Sequence, residues 1–484
     1  MPFVDFVSRD DRVSLWYITN TPYYTVGSFD PEKPTIIMLP PLFLDSSWLG
    51  SHMEDPRLSG KYNIVAFDMR VCGKSDSRPS GAHDSWVDAA DLAFAHQALG
   101  LPPSHVFAIS NLSVNTALRF AALFPEMCLS LTLVNVPGPL ESQYFHEGIQ
   151  DALNLWGHPQ DLEEYEHACS LVIEYMLGKD VTPELRDQLN TYWALTVPPW
   201  RRTRANEMMQ VLLHRTPLSD TVLASISQPT LIIQSDKSEI NPVRFAEKLS
   251  RDLVNVPGRA RVHTVKGSPE YVSLIPACAS IVNRVLAEFI SRQPMMPTKL
   301  TSFTTRERRE RMERALQQLA SLTGNSAIKD RDASSPLSFS CVAPDMLKSN
   351  TLRLREEQAE EHLAFSPLGV DGRPLRRYSE RQTDHWFAAD REENSTGSIA
   401  LYNKEERLKQ FDVLLSQTER NAKAAANAPC MDHHSADQGD STKVRMMRST
   451  ITKHVVEKAT INGTGNTFTP ALISSTLSMT RLKF

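Results

Sequence analysis

The stretch Phe67-Asp68-Met69-Arg70-Val71-Cys72-Gly73-Lys74-Ser75 decides how this sequence folds. It follows directly on the apolar run Ile64 to Phe67, and a second apolar run, Thr35 to Leu39, lies upstream. Apolar residues at helical spacing follow it, over Val87 to Leu99. The order of strand, Asp-x-Arg-x-x-Gly-x-Ser turn and helix indicates a sheet built from alternating β-strands and α-helices.

This alternation extends from Phe3 to about Phe289. Several of the strand candidates are near-continuous apolar runs, as expected where helices cover both faces of a parallel sheet. The candidates are Val13–Tyr17, Thr35–Leu39, Ile64–Phe67, Val106–Ile109, Leu131–Val134, Thr230–Ile233 and Arg261–Val265. A further helix is predicted over Asn115–Leu123, and it should end there because Pro125 cannot continue a helix. Residues 1–292 are therefore predicted to form an α/β fold with a doubly wound, mostly parallel sheet.

Residues from about 137 to 228 interrupt the alternation. They are rich in Leu, Glu, Tyr and Trp at helical spacing, and Pro198-Pro199 breaks the run. We expect a helical cap above the strand ends, where open α/β sheets bind ligands. The alternative is a set of extra helices packed against the flank without the role of a lid.

The composition narrows the classes of partner. A net charge of −5 gives no reason to expect nucleic acid as a partner, and no run approaches the length of a membrane-spanning helix. The six cysteines have neither CxxC pairs nor regular spacing, which argues against a disulfide framework or a metal site. The start of the chain lacks the pattern of a secretory signal. We expect a cytoplasmic protein without a cofactor.

The character of the sequence changes after Pro294. Residues 293–323 are predicted to form a linker and a charged helix over Thr304–Leu322. Residues 324–484 contain few apolar clusters and are predicted to be disordered. Within them, aromatic and basic residues between Phe365 and Phe387 indicate either a motif for a protein partner or a turn-rich spacer.

Residues 3 to 290 resemble the α/β-hydrolase superfamily, in its epoxide-hydrolase-like and haloperoxidase-like branch. The resemblance rests on the Asp68-Met69-Arg70 turn with Gly73 and Ser75, on Pro229 to Ile233, and on the series from Ala117 through Phe124-Pro125-Glu126 to Asn135. It implies a serine nucleophile in a G-x-S-x-G turn, a histidine base, a carboxylate and an oxyanion hole. Each part can be sought separately.

The nucleophile turn falls in Ile109 to Thr116. Ser113 is the serine with symmetric flanks, and Asn111 and Asn115 stand at the two glycine positions. Counting back from the following helix instead places Asn111 or Leu112 at the nucleophile position. Ser113 is thus a candidate nucleophile or a serine at the start of a helix that caps backbone N–H groups.

The positions that the family gives to the acid and the base hold other residues. Ser238 stands where the acid is expected, and Asp236 and Glu239 are carboxylates in the same loop. Glu270 stands where the histidine is expected. His263 precedes that turn inside a strand, and four histidines lie in the cap segment, namely His146, His158, His167 and His214.

The oxyanion side also departs from the family. Pro40-Pro41 replaces His-Gly, and Pro41 has no N–H to donate. Leu42, Phe43 and Val114 are the remaining candidates for donors and pocket residues.

Taken together, these departures predict a protein with an incomplete Ser-His-Asp site that binds a small apolar ligand under the cap, without catalysis or with weak activity. The alternative is a serine hydrolase that cleaves an ester, an epoxide or a similar bond, with Ser113 as nucleophile and Asp236, Glu239, Glu270 or a cap histidine assisting. A third hypothesis makes the folded domain a carrier for the motif near the C-terminus.

Overall fold

A computed structural model describes residues 2–141, 143–159 and 161–365. Its strands are β1 (Phe3–Val7), β2 (Arg12–Thr19), β3 (Thr35–Leu39), β4 (Asn63–Phe67), β5 (Asp76–Ser77), β6 (Ser104–Ile109), β7 (Cys128–Val134), β8 (Thr230–Ser235) and β9 (Arg261–Val265). Across the sheet the order is β1-β2-β4-β3-β6-β7-β8-β9, and β5 pairs with β2. Strands β4, β3, β6, β7, β8 and β9 run parallel, while β1, β2 and β5 pair antiparallel. The predicted doubly wound, mostly parallel sheet is confirmed.

Helices cover the sheet and its edge. They are α1 (Gly50–Met53), α2 (Pro56–Ser59), α3 (Ser85–Ala98), α4 (Asn111–Leu123), α5 (Gln143–Gly157), α6 (Leu162–Leu177), α7 (Pro183–Thr196), α8 (Arg202–Leu213), α9 (Asp220–Ser225), α10 (Val243–Asp252), α11 (Pro276–Ile290), α12 (Thr305–Thr323) and α13 (Pro344–Phe365). No helix in these ranges is long and apolar enough to cross a membrane.

The turn after β4, residues 67–75, is held by its own polar groups, and we call it the Asp68 turn. The Asp68 carboxylate accepts hydrogen bonds from the backbone N–H groups of Ser46 (2.7 Å) and Lys74 (3.0 Å). Gly73 has φ +49, and a Cβ there would collide with the Asp68 carboxylate, so the turn requires glycine. The Ser75 hydroxyl donates to the Asp68 carbonyl and accepts from the Trp16 N–H, which ties the turn to β2.

Arg70 in the same turn is fully buried between two carboxylates. Its guanidinium donates to Asp91 at 2.9 Å and to Asp11 at 2.8 and 3.1 Å. Because Asp11 precedes β2 and Asp91 lies on α3, this pairing joins three separate parts of the chain around one charge.

Helices α5 to α9 are inserted between β7 and β8, as predicted for the cap. The cap has its own apolar cluster, which includes Trp156, Tyr165 and Trp193. Leu42 and Leu112, which lie at the carboxyl ends of β3 and β6, belong to the same cluster. The cap therefore packs down onto the strand ends.

The structure departs from the sequence prediction after residue 324. Residues 325–365 are folded there rather than disordered, and they end in α13, which packs against α8 of the cap. The apolar residues of this segment are few, but Ile328, Phe339 and Leu354 are all buried. Apolar residues this few do not form the periodic pattern from which a helix is predicted. Of the predicted motif from Phe365 to Phe387, Phe365 is the last residue of α13, and the remainder lies outside the described residues.

Candidate functional site

The sharp turn from strand to helix lies at Ser110 and Asn111. Strand β6 ends at Ile109 and α4 begins at Asn111, and the two turn residues have φ values of 59° and 37°. Positive φ is uncommon for residues other than glycine, and the elbow of this fold is a strained turn of this kind. Of the alternatives left by the sequence, Asn111 lies in the turn itself, whereas Ser113 is the third residue of the helix.

Ser113 is 7% exposed, and its hydroxyl donates a hydrogen bond to the Pro40 carbonyl. The N–H of Val114 points to the Ser110 carbonyl at 3.4 Å, as in a helical turn, and the Val114 side chain is buried in the main core. The Ser113 proton and the Val114 N–H are thus both engaged by backbone carbonyls.

Two clefts open between the strand ends and the cap. The Glu270 cleft has a volume of about 480 Å³, including solvent at its mouth, and Ser110, Asn135, Glu270 and Ser273 are among the polar side chains along it. Its apolar lining consists of Leu42, Leu44, Ile109, Met176, Leu177, Leu189, Trp193 and Leu274, with Pro41 and Tyr271.

The second cleft, the His83 cleft, measures about 400 Å³ on the same basis. Its lining includes Cys72, His83, Asp88, Ser113 and Met208. Ser113 and Glu270 therefore line different clefts, and the serines that share a cleft with Glu270 are Ser110 and Ser273, neither of which the sequence singled out.

Ser238 and Glu270, which stand where the resemblance places the acid and the base, are in hydrogen-bond contact, although neither is the expected residue type. The Ser238 hydroxyl donates to Glu270 Oε2, and Asn241 Nδ2 donates to Oε1 at 2.7 Å. The Asn135 amide holds the Glu270 backbone carbonyl. Burial raises the pKa of Glu270 to about 7, although the hydrogen bonds from Ser238 and Asn241 lower it.

The other two acidic candidates of this loop lie at the surface. Asp236 is exposed and accepts a hydrogen bond from the Gly267 N–H at 2.7 Å, which fastens the turn after β9. Glu239 is exposed in the loop between β8 and α10. Neither residue lines the Glu270 cleft or the His83 cleft.

His83 lines the same cleft as Ser113, and the sequence did not indicate it. Its Nε2 lies 3.0 Å from Asp88 and its Nδ1 lies 3.0 Å from Glu207. Burial lowers the pKa of His83, but the two carboxylates outweigh burial and raise it to about 10. At neutral pH this ring is therefore an imidazolium that donates both protons, and it has no free nitrogen with which to accept the proton of Ser113. Glu207 belongs to cap helix α8, so only the fold brings it to His83.

The histidines proposed from the sequence lie elsewhere. His158 faces Glu357 at 3.8 Å, and His167 and His214 are exposed on the cap. His146 and His263 are partly buried. None of these five lines either cleft.

The loop at the oxyanion side is packed into the cap. Phe43 has φ 62°, its ring stacks on Trp156 at 5.9 Å, and its carbonyl accepts the indole N–H of Trp193 at 2.9 Å. Leu42 lines both clefts. Within the described ranges, no group of three His, Cys, Asp or Glu side chains is placed to hold a metal ion.

Comparison with known proteins agrees with this architecture. Residues 34–166 match the family model described as the alpha/beta hydrolase fold. The chain thus has the α/β-hydrolase fold, and the family match covers residues 34–166. A search of curated proteins found no match.

Solved structures of the same class resemble the chain at low identity. An alpha/beta hydrolase enzyme from a Medee basin deep-sea metagenome library, MGS-M2, is 17% identical, with 60% of this chain and 99% of that one covered and a TM-score of 0.48. The esterase EaEST from Exiguobacterium antarcticum is 16% identical over 60% and 99% of the two chains, with a TM-score of 0.47. A bromoperoxidase from Bacillus anthracis is 14% identical over 60% and 99%, with a TM-score of 0.45.

Proposed function

We propose that this protein binds a small, largely apolar molecule in the Glu270 cleft and does not hydrolyse it through a serine nucleophile. The observation that supports this most is the residue at the base position. Glu270 is a buried carboxyl held by Ser238 and Asn241, where a serine hydrolase needs a neutral imidazole beside its nucleophile.

The cleft itself supports binding. Its lining is mostly apolar, with a few converging polar groups, which is the usual character of small-molecule sites. The aromatic cluster of the cap closes over one side, since Trp193 both lines the cleft and bonds the loop that carries Phe43.

The alternative is a serine hydrolase that acts on an ester, an epoxide or a similar bond, with Ser113 as nucleophile. It is favoured by one observation, that Ser113 and His83 line the same cleft. It requires that His83 lose one of the two protons that it donates to Asp88 and Glu207, and that the Ser113 hydroxyl leave the Pro40 carbonyl.

Blocking the cleft tests the binding function. Leu274 lines the Glu270 cleft and is partly buried, so Leu274→Trp fills the cleft with an indole. Leu195→Trp is the matched control, because Leu195 is 63% exposed and lies outside the cleft. We expect saturable fluorescence enhancement of the uncharged apolar dye N-phenyl-1-naphthylamine with the wild type and Leu195→Trp, and an affinity lower by at least about tenfold in Leu274→Trp. Equal affinity in all three proteins would place the binding elsewhere and contradict the proposal.

A further inference from the structure

The Glu270 cleft contains a buried acid with only neutral partners. Glu270 is 6% exposed, and the groups that act on its pKa besides burial are Ser238, Asn241 and Asn135. Each of these side chains is uncharged. A buried carboxylate without a cation is unfavourable, so the ionised form of Glu270 would be stabilised by a positive charge in the cleft.

The hydrogen bonds around Glu270 keep it an acceptor. The Asn241 backbone N–H donates to Ser238 Oγ at 2.7 Å, which leaves the Ser238 proton directed at Glu270 Oε2. The Asn241 amide donates to Oε1. A carboxylate has about four lone-pair positions, so each oxygen can accept a second donor from the cleft.

A second polar group in the cleft lacks a partner in the described part of the chain. Ser273 is 2% exposed, lines the cleft three residues after Glu270, and its hydroxyl has no hydrogen-bond partner there. Buried hydroxyl groups normally have one, and a ligand that donates hydrogen bonds would supply it. The walls beyond these groups, including Met176, Leu189 and Trp193, are apolar.

We propose that the Glu270 cleft binds a small primary amine, whose ammonium group donates to the Glu270 carboxylate and the Ser273 hydroxyl while its hydrocarbon body lies against Leu189 and Trp193. An ammonium group has three N–H donors and one positive charge, which matches two acceptors and one uncompensated negative charge. This inference rests on the proposed function and adds the chemical class of the ligand.

The test is calorimetric titration of the full-length protein with n-hexylamine, n-hexanol and n-hexanoate. These share an apolar chain and differ in the charge of the head group. The proteins are the wild type, Glu270→Gln, Ser273→Ala and the control Glu247→Gln, whose carboxylate is exposed on α10. Titrations in two buffers of different ionisation enthalpy give the protons released on binding.

We expect hexylamine to bind the wild type and Glu247→Gln at least about tenfold more tightly than hexanol, and this preference to fall to about threefold or less in Glu270→Gln. Ser273→Ala should weaken hexylamine binding and leave hexanol binding unchanged. At pH 6 each bound amine should displace up to about one proton from Glu270, and none at pH 9. Proton release is measured on the wild type, so the test stands even if a variant fails to fold.

The outcomes separate the two proposals. If hexanol binds as tightly as hexylamine, without release of protons, the preference for amines is overturned and binding of apolar molecules stands. Tighter binding of hexanoate would overturn it likewise. If none of the three ligands binds, the proposed function fails as well.

Discussion

The Asp68 turn and the Glu270 cleft are both built at the carboxyl edge of the same sheet, yet they retain different parts of the family's pattern. In the Asp68 turn, Asp68, Arg70, Gly73 and Ser75 each have the structural partner or conformation that their residue type requires. In the Glu270 cleft, the loops still bring the acid and base positions into hydrogen-bond contact, but a serine and a glutamate occupy them. We therefore expect contacts such as those of the Asp68 turn to maintain the backbone arrangement, whatever residue types occupy the positions that the resemblance gives to the acid and the base.

The largest effect should come from Arg70. Arg70→Met leaves the carboxylates of Asp11 and Asp91 buried without a cation, and we expect a loss of about 3–5 kcal/mol in the free energy of unfolding, measured by urea denaturation. Arg306→Met is the control, because Arg306 pairs with Glu310 on the exposed face of α12, and its denaturation midpoint should not move. Similar small shifts in both variants would show that the turn does not depend on this charge network.

Glu270 should have a smaller effect, and one that depends on pH. Its folded-state pKa, about 7, lies above the ordinary value of 4.5, so the folded protein holds a proton that the unfolded chain has lost between these values. This contribution to stability is fully present below about pH 4.5 and is lost as the pH rises to about 7. The difference amounts to up to about 3 kcal/mol.

In Glu270→Gln this proton is absent, so the free energy of unfolding of the wild type relative to the variant should fall from pH 4.5 to 7 and then level off. Comparing the two proteins at each pH cancels other groups that titrate in the same range, such as Asp68 and Asp91. Parallel stability curves for the two proteins would show that Glu270 is not held in the buried environment described above.

The two regions also differ in how well the sequence predicts them. The Asp68 turn was predictable because its motif is local in the sequence, although Asp68 and Arg70 also bind Ser46, Asp11 and Asp91 outside the turn. The resemblance indicates that residues 238 and 270 lie close together, because it gives them to the acid and the base. That the partners of Glu270 are uncharged, and that Ser113 lines another cleft, depends on the directions of side chains. The bond between His83 and Glu207 joins residues 124 positions apart across the cap, and no local pattern indicates it.

The C-terminal segment illustrates a different limit. Phe339 is fully buried and packs against Phe124, with ring centroids 6.1 Å apart, although its neighbours in the sequence are mostly polar. A single buried aromatic residue gives no periodic signal, so composition alone suggested disorder where the chain is folded.

Covalent labelling with a fluorophosphonate tests the central claim most directly, because this probe reacts with a serine that a neighbouring base activates. With the wild type, Ser110→Ala and Ser113→Ala at pH 7.5, and a serine esterase labelled in parallel, we expect no stoichiometric labelling of any of the three proteins. The imidazole that lines a cleft with Ser113 is protonated, and the group that lines the other cleft with Ser110 is the carboxyl of Glu270. Stoichiometric labelling of the wild type that is lost in Ser113→Ala or in Ser110→Ala would contradict this account and identify a working nucleophile.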